Sequence, residues 1–422
     1  MKLQKIISRL ERLHPKKIDL SLGRVFNLLK KLGNPQDKLK NVITVCGTNG
    51  KFSSIQSLKT ILNQAGYKCN LFLSPHLQNY SERFVYNDKE ININSLADLL
   101  EEIEKVNESE NLTLFEALSC SFLKYCEKYS NNISIIEAGL FHQFDATNVF
   151  KKNLCSIITS INIDHLQWIK NKTIDGIIYE KTAKLLNSKI FVSKQENKEI
   201  TFKIEDALKK NKSEKYFYGK HFNCLSAENN FIMYEDLKGN LILPPPNILG
   251  KEHQLDNISV AIMVARNLFN VQDQDIKKAV TNIKLKGRLQ EIKSGKLKKL
   301  VKKNRLIVDG AHNIGSSKVL SKWVESLNEN VHLILGMMKD KDHLGFLKNF
   351  KNKVQSITLI DIPNQAGSIS KEEFKLKVQN EFSNIKIANS IEQSLKYNSN
   401  SSNNIILIAG SLYLVGEVLN LN

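Results

Sequence analysis

The sequence VITVCGTNGKFSS, residues 42–54, determines how the rest of the chain is interpreted. It begins with a β-branched apolar run, turns at two glycines, and leads into a segment with helical periodicity at residues 55–65. Such segments bind phosphate, because backbone N–H groups of the turn and the helix N-terminus point at the anion and a lysine adds positive charge. A glycine turn can also be purely structural, and the spacing differs from the usual G-x-x-x-x-G-K-[ST] form. The lysine and the hydroxyls favour nucleotide phosphate binding by Gly47, Thr48, Asn49, Gly50, Lys51, Phe52 and Ser53.

Length and composition predict a soluble protein of two domains. The chain has 422 residues, more than one ordinary core accommodates, and its hydrophobic and charged fractions are 41% and 25%. No apolar run reaches the ~18 residues of a membrane helix, and the N-terminal stretch lacks the apolar core of a signal peptide. We therefore expect a cytoplasmic location and no membrane partner. Six scattered cysteines without a C-x-x-C pair predict buried free thiols.

The net charge of +18 raises nucleic acid as a partner. Only seven of the 61 basic residues are arginine, the preferred reader of phosphates and bases, and the lysines are spread along the chain apart from a dense patch at 293–303. We therefore expect no nucleic-acid partner. The simpler interpretation of the positive charge is a solvated surface rich in lysine. The functional interpretation is that the charge attracts polyanionic metabolites.

Apolar periodicity predicts an α/β fold for the first part of the chain. After the opening strand, the predicted strands cover residues 70–73, 133–136, 155–161 and 189–193. The predicted helices cover residues 2–15, 21–33, 95–106, 113–129, 173–187, 254–268 and 273–283. This alternation predicts a doubly wound, mostly parallel sheet whose ligands bind at the carboxyl ends of the strands. Residues 201–245 are less regular, with a small hairpin and a proline turn within 231–250.

A second, smaller α/β domain is expected after the basic, glycine-punctuated stretch LKGRLQEIKSGKLKKL at 285–300, which we interpret as a boundary. Its predicted strands cover residues 305–308, 331–335, 356–360 and 404–409, and its predicted helices 316–327, 343–350 and 370–380. The expected division is therefore residues 1–285 and 286–422.

Polar side chains follow several predicted strands. Glu137 ends the strand of ISIIEAGL, Asp164 and His165 follow the next strand in SINIDHLQW, and Ser74 ends the strand before SPHLQ. Glu137 could be a surface glutamate at a strand end, and a lone histidine is usually structural. Their shared sheet edge instead favours Glu137 as a Mg²⁺ ligand beside the phosphates, with His165 and Ser74 as further site candidates.

Segments in a fixed order carry a resemblance over nearly the whole chain. VITVCGTNGKFSS resembles the GTNGKGS loop of the dihydrofolate synthase/folylpolyglutamate synthase family, in the Mur ligase superfamily of ATP-dependent amide-forming ligases. EAGLFHQFDATNV resembles its EVGLGGRLDATNV, and LHPKKIDLSLGRV is similar to its pterin-side N-terminal signature. Further matching segments are SPHLQNYSERF, FEALSCSFL, SINIDH, YEKTAKLL, HQLDN, GRLQ, DGAHN, DKD and AGSLYLVGEVL.

The resemblance implies a fold and a set of residue roles. It implies a Mur ligase central-domain-like sheet with a P-loop, followed by a Rossmann-like C-terminal domain. Lys51 would contact the transferred phosphoryl group, and Lys181 matches a lysine that is carbamylated in this family, where it supports a second metal. The implied Mg²⁺ ligands are Ser74, Glu137 and His165. The implied ATP-binding residues beyond the loop are Asn257, Arg288, Asp309 and His312. The implied substrate residues are Asp19, Ser74, Pro75, His76, Arg83, Asp145 and Asn148.

Simpler interpretations exist for several of these residues. Asp309 begins DGAHN and could lie in a plain turn, Arg288 could form a linker salt bridge, and Asn257 could cap or pack within a helix. The sequence also departs from the family pattern. Phe52 replaces a glycine of the loop, and Phe141-His142-Gln143 replaces Gly-Gly-Arg, which removes a fixed positive charge. His142 could supply part of that charge only when protonated.

The activity implied is addition of L-glutamate to dihydropteroate, and to reduced folates, through an acyl phosphate, with ATP and Mg²⁺. The second domain would then close over the reactive intermediate. The alternatives are a ligase of the same fold with one activity or a shifted substrate, and a non-catalytic nucleotide- or folate-binding relative. Resemblance also implies a monomer. Phe52 is expected to point away from the phosphates, against its own helix or the altered segment 141–143.

Overall fold

The computed structural model describes residues 2–14, 16, 18–227, 231–382, 384–397 and 403–422. By its internal contacts the chain divides into two compact units. The first comprises Met1–His76, Tyr80–Pro246 and Gln254–Ile283, and the second comprises Leu77–Asn79, Asn247–His253 and Lys284–Asn422. The expected assignment of nucleotide binding to residues 1–285 and of a separate ligase domain to 286–422 stays a prediction.

The first unit is built on a sheet to which the described residues contribute eight strands. The strands are β1 (Asn41–Cys46), β2 (Cys69–Phe72), β3 (Phe84–Tyr86), β4 (Lys89–Glu90), β5 (Ile133–Glu137), β6 (Cys155–Ile158), β7 (Lys189–Val192) and β8 (Lys215–Phe217). Their order is β4-β3-β2-β5-β1-β6-β7-β8, with antiparallel pairing only at β2–β3 and β3–β4. β5 and β6 flank β1 in parallel register, so that their carboxyl ends lie beside the phosphate loop. The predicted mostly parallel sheet is confirmed.

Continuous burial explains why these strands read as apolar runs. β5 and β6 are buried at every position, and β1 at every position after Asn41. Strands covered on both faces lose the apolar–polar alternation of a half-exposed sheet. The covering helices are α1 (Lys2–Leu10), α2 (Gly23–Lys31), α3 (Lys51–Gln64), α4 (Ile93–Asn107), α5 (Leu114–Cys126), α6 (Ile174–Thr182), α7 (Lys198–Ala207), α8 (Lys251–Leu268) and α9 (Asp273–Asn282).

A small antiparallel sheet follows β8. It consists of β9 (Phe222–Ser226), β10 (Ile232–Asp236) and β11 (Gly239–Leu243). The expected hairpin is confirmed as β10–β11, whose turn uses Gly239 at a φ of 114°. The interpretation of 201–245 as irregular was otherwise wrong, because α7 and β9 lie there as well. Residues 228–230, within that stretch, lie outside the described residues.

The second unit has a sheet to which six described strands contribute, in the order β12-β13-β17-β14-β15-β16. The strands are β12 (Gln290–Ile292), β13 (Arg305–Val308), β14 (Val331–Leu335), β15 (Ser356–Leu359), β16 (Ile385–Ile387) and β17 (Ile405–Ala409). Its helices are α10 (Lys296–Leu300), α11 (Ile314–Glu325), α12 (His343–Lys348), α13 (Lys371–Val378), α14 (Ile391–Lys396) and α15 (Leu412–Leu421). Adjacent residues of a strand point to opposite faces of the sheet. Leu306 and Ile307 accordingly belong to separate apolar clusters, so each face of the sheet has its own core.

Two expected helix ends were wrong. The helix expected to reach residue 187 ends at Thr182, because Ala183 is extended and Lys184 has a φ of 58°. The first helix ends at Leu10 rather than at residue 15, and Pro15 itself lies outside the described residues, as does Lys17. The stretch 285–300, interpreted as a boundary, lies just after the point where the first unit ends at Ile283, and it also carries β12, which pairs antiparallel with β13.

Candidate active site

The phosphate loop connects β1 to α3 at the centre of the sheet. Gly47 and Gly50 have φ values of 140° and 90°, a region that disfavours side chains. A Cβ atom on Gly47 would lie 2.0 Å from Thr159 Oγ1, and one on Gly50 would lie 2.3 Å from Asn257 Oδ1. Gly50 caps α3 without a side-chain hydrogen bond. The helix therefore begins with backbone N–H groups that suit an anion.

Segment 159–162, which follows β6, fastens the loop from one side. The backbone N–H groups of Thr48 and Asn49 donate to Ser160 O at 2.9 and 3.1 Å. Asn162 O accepts from Thr48 Oγ1, and Asn162 Oδ1 accepts from Asn49 Nδ2 at 2.9 Å. Thr48 and Asn49 thus attach the turn to segment 159–162. We therefore expect phosphate binding by backbone groups mainly at the first turn of α3, and this stays a prediction.

Lys51, Glu137 and Ser74 meet at the carboxyl ends of neighbouring strands. The Lys51 amine donates to Gly47 O and Thr48 O, each at 3.2 Å, and lies 4.0 Å from Glu137 Oε1. Glu137 is 3% exposed, and its Oε2 accepts from the Ser74 backbone N–H at 2.9 Å. Glu137 and Ser74, two of the four positions expected on this sheet edge, therefore lie together beside Lys51.

The two positive-φ glycines Gly50 and Gly66 give a matched test of the loop. Gly66 has a φ of 87°, close to the 90° of Gly50, but no atom lies within 4 Å of its Cβ position. We expect Gly66→Ala to cost about 1 kcal/mol of stability from backbone strain alone. Gly50→Ala must also displace Asn257, so we expect it to weaken ADP binding at least tenfold. Calorimetric titration with ADP tests this, and equal ADP affinity of the two variants would contradict it.

Lys181 lies beneath the phosphate loop. Its amine is buried and donates to Gly47 O at 2.9 Å and to Leu140 O at 2.7 Å. The ring of Phe141 has its centroid 5.2 Å from the amine. Burial, and then the neighbouring Lys51 charge, lower the pKa of Lys181 to about 7. A neutral amine has two N–H donors, which matches the two carbonyl acceptors.

The altered segment Phe141-His142-Gln143 packs against the end of α6. Phe141 is 1% exposed within an apolar cluster. His142 is also buried, and burial lowers its pKa below the ordinary value. The imidazole is therefore neutral near pH 7 and does not replace the charge of the arginine found in the family pattern. Phe52 is partly buried, and its expected orientation, away from the phosphates and against its own helix or this segment, stays a prediction.

Ser74, Pro75, His76 and Arg83 form a compact loop after β2. Arg83 donates through Nε to His76 Nδ1 at 2.9 Å and through Nη1 to Ser74 Oγ at 3.5 Å. The peptide between Ser74 and Pro75 is cis. Burial and the Arg83 charge lower the pKa of His76 to about 3. His76 is thus a neutral acceptor for Arg83, and the pair can present a fixed guanidinium to an anion.

Asp145 organises the loop that follows Glu137. Its Oδ2 accepts from the Leu140 backbone N–H at 3.0 Å, and its Oδ1 accepts from Thr147 N–H and Oγ1. Asn148 Nδ2 donates to Gln143 O at 3.4 Å. These contacts give Asp145 and Asn148 a role in loop geometry, and their expected contacts with substrate stay a prediction.

Asp19 lies in an ion-pair cluster that orders the N-terminal segment. Its Oδ2 is 3.1 Å from Arg24 Nη1 and 3.3 Å from His14 Nε2. Arg24 also binds Glu116 through two nitrogens, at 2.8 and 3.2 Å. Glu116 completes a capping box with Thr113 at the start of α5. The carboxylate of Asp19 is thereby fixed at the entry to α2.

Asn257 and His165 are two further expected site residues of the first unit. Asn257, on α8, accepts from Ser54 Oγ at 3.4 Å and donates to Gln254 Oε1 at 3.0 Å. His165 has a φ of 57°, and its backbone N–H donates to Asp164 Oδ1 at 2.9 Å. β6 ends at Ile158, so Asp164 and His165 follow a loop rather than the strand end itself. Their expected ligand contacts stay predictions.

The second unit contains the remaining expected nucleotide residues. Asp309 is buried, and its two oxygens accept from the backbone N–H groups of Leu289 and Ala311 at 2.7 and 2.8 Å. Burial raises the pKa of Asp309, and the nearby Arg288 charge opposes the rise. His312 Nδ1 lies 2.7 Å from Gly310 O, which can only accept, so Nδ1 carries a proton and donates to this carbonyl. These contacts fix the geometry of DGAHN, and the nucleotide contacts expected of Arg288, Asp309 and His312 stay predictions.

Comparisons with known proteins bear on this arrangement. Residues 291–421 match the family model described as dihydrofolate synthetase, C-terminal domain. The dihydrofolate synthase/folylpolyglutamate synthase of Haemophilus influenzae is 27% identical over 432 residues, covering 97% of this chain and 95% of that protein. The dihydrofolate synthetase of Saccharomyces cerevisiae is 27% identical over 428 residues, covering 96% and 98%. The structure of E. coli FolC in complex with DHPP and ADP matches with a TM-score of 0.87 at 27% identity, covering 99% and 97%.

Over nearly its whole length this chain is similar to dihydrofolate synthase/folylpolyglutamate synthases. The resemblance expected from ordered sequence segments is confirmed, and so is the two-domain α/β fold of those enzymes. Over the described residues, no helix is both long and apolar enough to cross a lipid bilayer. All six cysteines are free and buried, as the sequence predicts.

Sequence reasoning missed residues that hold this candidate site together. Asn162 stands two residues before the Asp164-His165 pair and binds both Thr48 and Asn49. Its amide also donates to Glu196 Oε2 at 3.2 Å. The sequence does contain a signal for Asn162, because it is a polar residue within the SINIDH segment that follows a predicted strand. The Arg24–Glu116 pair had no comparable signal, because its members are far apart in sequence.

Proposed function

We propose that this protein is an ATP-dependent ligase that adds L-glutamate to dihydropteroate, or to reduced folates, through an acyl phosphate. The observation that carries the proposal is the position of Lys51. It follows the two glycines of the expected phosphate loop, and its amine lies 4.0 Å from the buried carboxylate of Glu137. Full-length similarity to dihydrofolate synthase/folylpolyglutamate synthases supports the choice of reaction. The E. coli relative solved with DHPP and ADP supports the choice of ligands.

The reaction needs activation of a carboxylate. An amine does not displace hydroxide from a carboxylate in water, because hydroxide is a poor leaving group. Transfer of the γ-phosphoryl group of ATP to the carboxylate gives an acyl phosphate and ADP. The glutamate amine then attacks the acyl carbon, phosphate leaves, and the amide forms. The protein's task in the first step is to position the groups and stabilise negative charge.

Residues of the first unit suit that task. The first turn of α3 offers backbone N–H groups to the phosphates, and Lys51 can exchange its contacts with Gly47 O and Thr48 O for phosphate oxygens. Gly47 and Gly50 allow the backbone to approach closely. Asn162 keeps the turn rigid through Thr48 and Asn49, so that the donors are positioned before the nucleotide binds.

Glu137 and Ser74 fit Mg²⁺, since oxygen ligands are those it prefers. Among the described residues no cluster of three or more His, Cys, Asp or Glu side chains could hold a metal ion alone. This suits an ion that Glu137, the Ser74 hydroxyl and the nucleotide's phosphate oxygens would hold together, with His165 as a further ligand. When bound, Mg²⁺ neutralises charge on the transferred phosphoryl group.

Carbamylation of Lys181 is part of the proposal. The neutral amine is the form that reacts with CO2, and a pKa of about 7 makes that form abundant at neutral pH. The carbamate nitrogen would keep one N–H for either Gly47 O or Leu140 O. In ¹³C-bicarbonate we expect a carbamate carbon signal by NMR that is absent from Lys181→Met. A spectrum without such a signal, recorded on ADP-bound protein with Mg²⁺, would exclude the modification.

A second candidate is a ligase that acts on dihydropteroate alone. The observation that favours it is the neutral, buried His142, which leaves segment 141–143 without the positive charge that the family pattern has there. The yeast relative is named only as a dihydrofolate synthetase and is as similar as the Haemophilus protein. Loss of a cation that could hold an anionic substrate would narrow the range of acceptors.

The discriminating experiment measures ADP release with ATP, Mg²⁺ and glutamate, and with either dihydropteroate or tetrahydrofolate. Release with both acceptors supports the broader ligase, and release with dihydropteroate alone supports the narrower one. No release with either acceptor, although ADP binds in a calorimetric titration, would overturn both and favour a non-catalytic relative. We also propose a cytoplasmic location, which six buried free thiols support. Monomeric state stays a prediction.

A further inference from the structure

The C-terminal end of α6, which carries Lys181, is held by groups from other elements. Helices leave their last carbonyl groups without partners inside the helix. Glu180 O accepts from the backbone N–H groups of both His142 and Gln143, each at 3.1 Å. Lys181 O accepts from Cys46 Sγ at 3.4 Å, and Ala183 O lies 3.2 Å from His142 Nδ1. Segment 141–143 is therefore the main cap of this helix end.

Residues 140 and 141, at the start of this segment, also contact the Lys181 side chain. Leu140 O accepts from the amine at 2.7 Å, and the ring of Phe141 lies 5.2 Å from it. The amine's other acceptor is Gly47 O at 2.9 Å, the carbonyl that also binds Lys51. Residues 140–143 thus bind the backbone carbonyls of Glu180 and Ala183, on either side of Lys181, and also contact the Lys181 side chain.

We propose that His142 is a positioning residue, which holds the end of α6 so that the Lys181 amine stays on the Gly47 carbonyl and fixes the geometry of the phosphate loop. The inference deepens the proposed ligase function and rests on it for its catalytic meaning. It assigns a use to the residues that replace Gly-Gly-Arg of the family pattern.

The chemistry of the imidazole supports this role. Ala183 O can only accept, so Nδ1 carries the proton and His142 is the donor. His142 is 3% exposed, so water cannot replace this bond if the donor is removed. Asp145 fixes the other side of the segment, since its backbone N–H donates to His142 O at 3.2 Å and its carboxylate accepts from Leu140 N–H. The donor is therefore held at both ends of its short loop.

The test compares two variants of His142 in full-length protein. His142→Leu fills similar volume without a donor, whereas His142→Asn keeps an N–H that can reach Ala183 O. We expect His142→Leu to weaken ADP binding about fivefold to tenfold, as loss of one buried hydrogen bond does, and His142→Asn to restore most of it. His332→Leu is the control, because His332 is a buried, hydrogen-bonded histidine on β14 in the second unit. It should lower the melting temperature and leave ADP affinity unchanged.

A double-mutant cycle decides whether the effect passes through Lys181. If it does, His142→Leu added to Lys181→Met should weaken ADP binding no further than Lys181→Met alone. Additive losses, or equal ADP affinities of His142→Leu and His142→Asn, would overturn the proposal. ADP binding needs no ligase turnover. If ADP is released with neither acceptor, the proposed function is refuted. The ADP affinities of the His142 variants still test the positioning role of His142 in that case.

Discussion

Lys51→Ala should lower kcat by about a thousandfold while the melting temperature stays within about 3 °C of the parent protein. The Lys51 amine is the cation held at the mouth of the phosphate loop, where it contacts Gly47 O and Thr48 O. In the first chemical step, negative charge moves across the transferred phosphoryl group, and a fixed cation stabilises that charge more strongly in the transition state than in the bound nucleotide. The loss should therefore appear in kcat more than in the KM for ATP. ADP release under saturating substrates measures it.

Lys59→Ala provides the matched control for this prediction. Lys59 lies on the same helix, α3, eight residues after Lys51 and away from the loop. Its removal changes the net charge by the same amount, so a general electrostatic effect on the anionic nucleotide would appear in both variants. Turnover of Lys51→Ala equal to that of Lys59→Ala would refute the role assigned to Lys51. Reduced turnover accompanied by an equally large loss of ADP affinity would show that Lys51 serves binding alone.

The location of the phosphate loop could be predicted from sequence because its signals are local. A β-branched run, two glycines and a helical segment are contiguous in the sequence. The structure shows why both positions are glycine, because each has a positive φ and each has neighbouring atoms that a Cβ would meet. The association of Ser74 with Glu137 followed from a rule of topology, since parallel strands that neighbour one another place their carboxyl ends together. Both inferences needed only the order of elements along the chain.

The end of α6 could not be predicted in the same way. Leu185 and Leu186 continue the apolar pattern, so periodicity extended the helix past its true end at Thr182. The carbonyl groups there are satisfied instead by His142, Gln143 and Cys46, which are distant in sequence. Tertiary donors thus override local pattern at this point. β12 escaped prediction for a related reason, because a three-residue edge strand exists only through its pairing with β13.

Charge was the property that sequence described least well. The sequence suggests that a protonated His142 could replace part of the missing arginine charge, but burial keeps its imidazole neutral. Lys181 reads as an ordinary cation, yet burial beside Lys51 lowers its pKa to about 7. Protonation depends on desolvation and on neighbouring charges, and both are set by three-dimensional packing. The altered segment is therefore best understood through its contacts with α6.

Glu137→Gln should remove the Mg²⁺ dependence of nucleotide binding and lower kcat at least a hundredfold. The substitution keeps the shape of the side chain and an oxygen that can accept from the Ser74 backbone N–H, so the loop after β2 should remain in place. It removes the negative charge that faces Lys51 at 4.0 Å and that would bind the metal ion. ADP affinity is measured by calorimetry with Mg²⁺ and with a chelator. The parent protein should bind more tightly with Mg²⁺, and the variant should bind equally in both conditions.

Glu291→Gln is the control for this charge change. Glu291 pairs with Arg305 at 2.9 Å within the second unit, and its loss removes one carboxylate outside the metal site. It should keep the parent's difference between the two conditions. If Glu137→Gln also keeps that difference, Glu137 is not the metal ligand, and its carboxylate serves only to orient Lys51 and the Ser74 backbone. Both roles predict reduced turnover, so the Mg²⁺ dependence of binding separates them where activity alone does not.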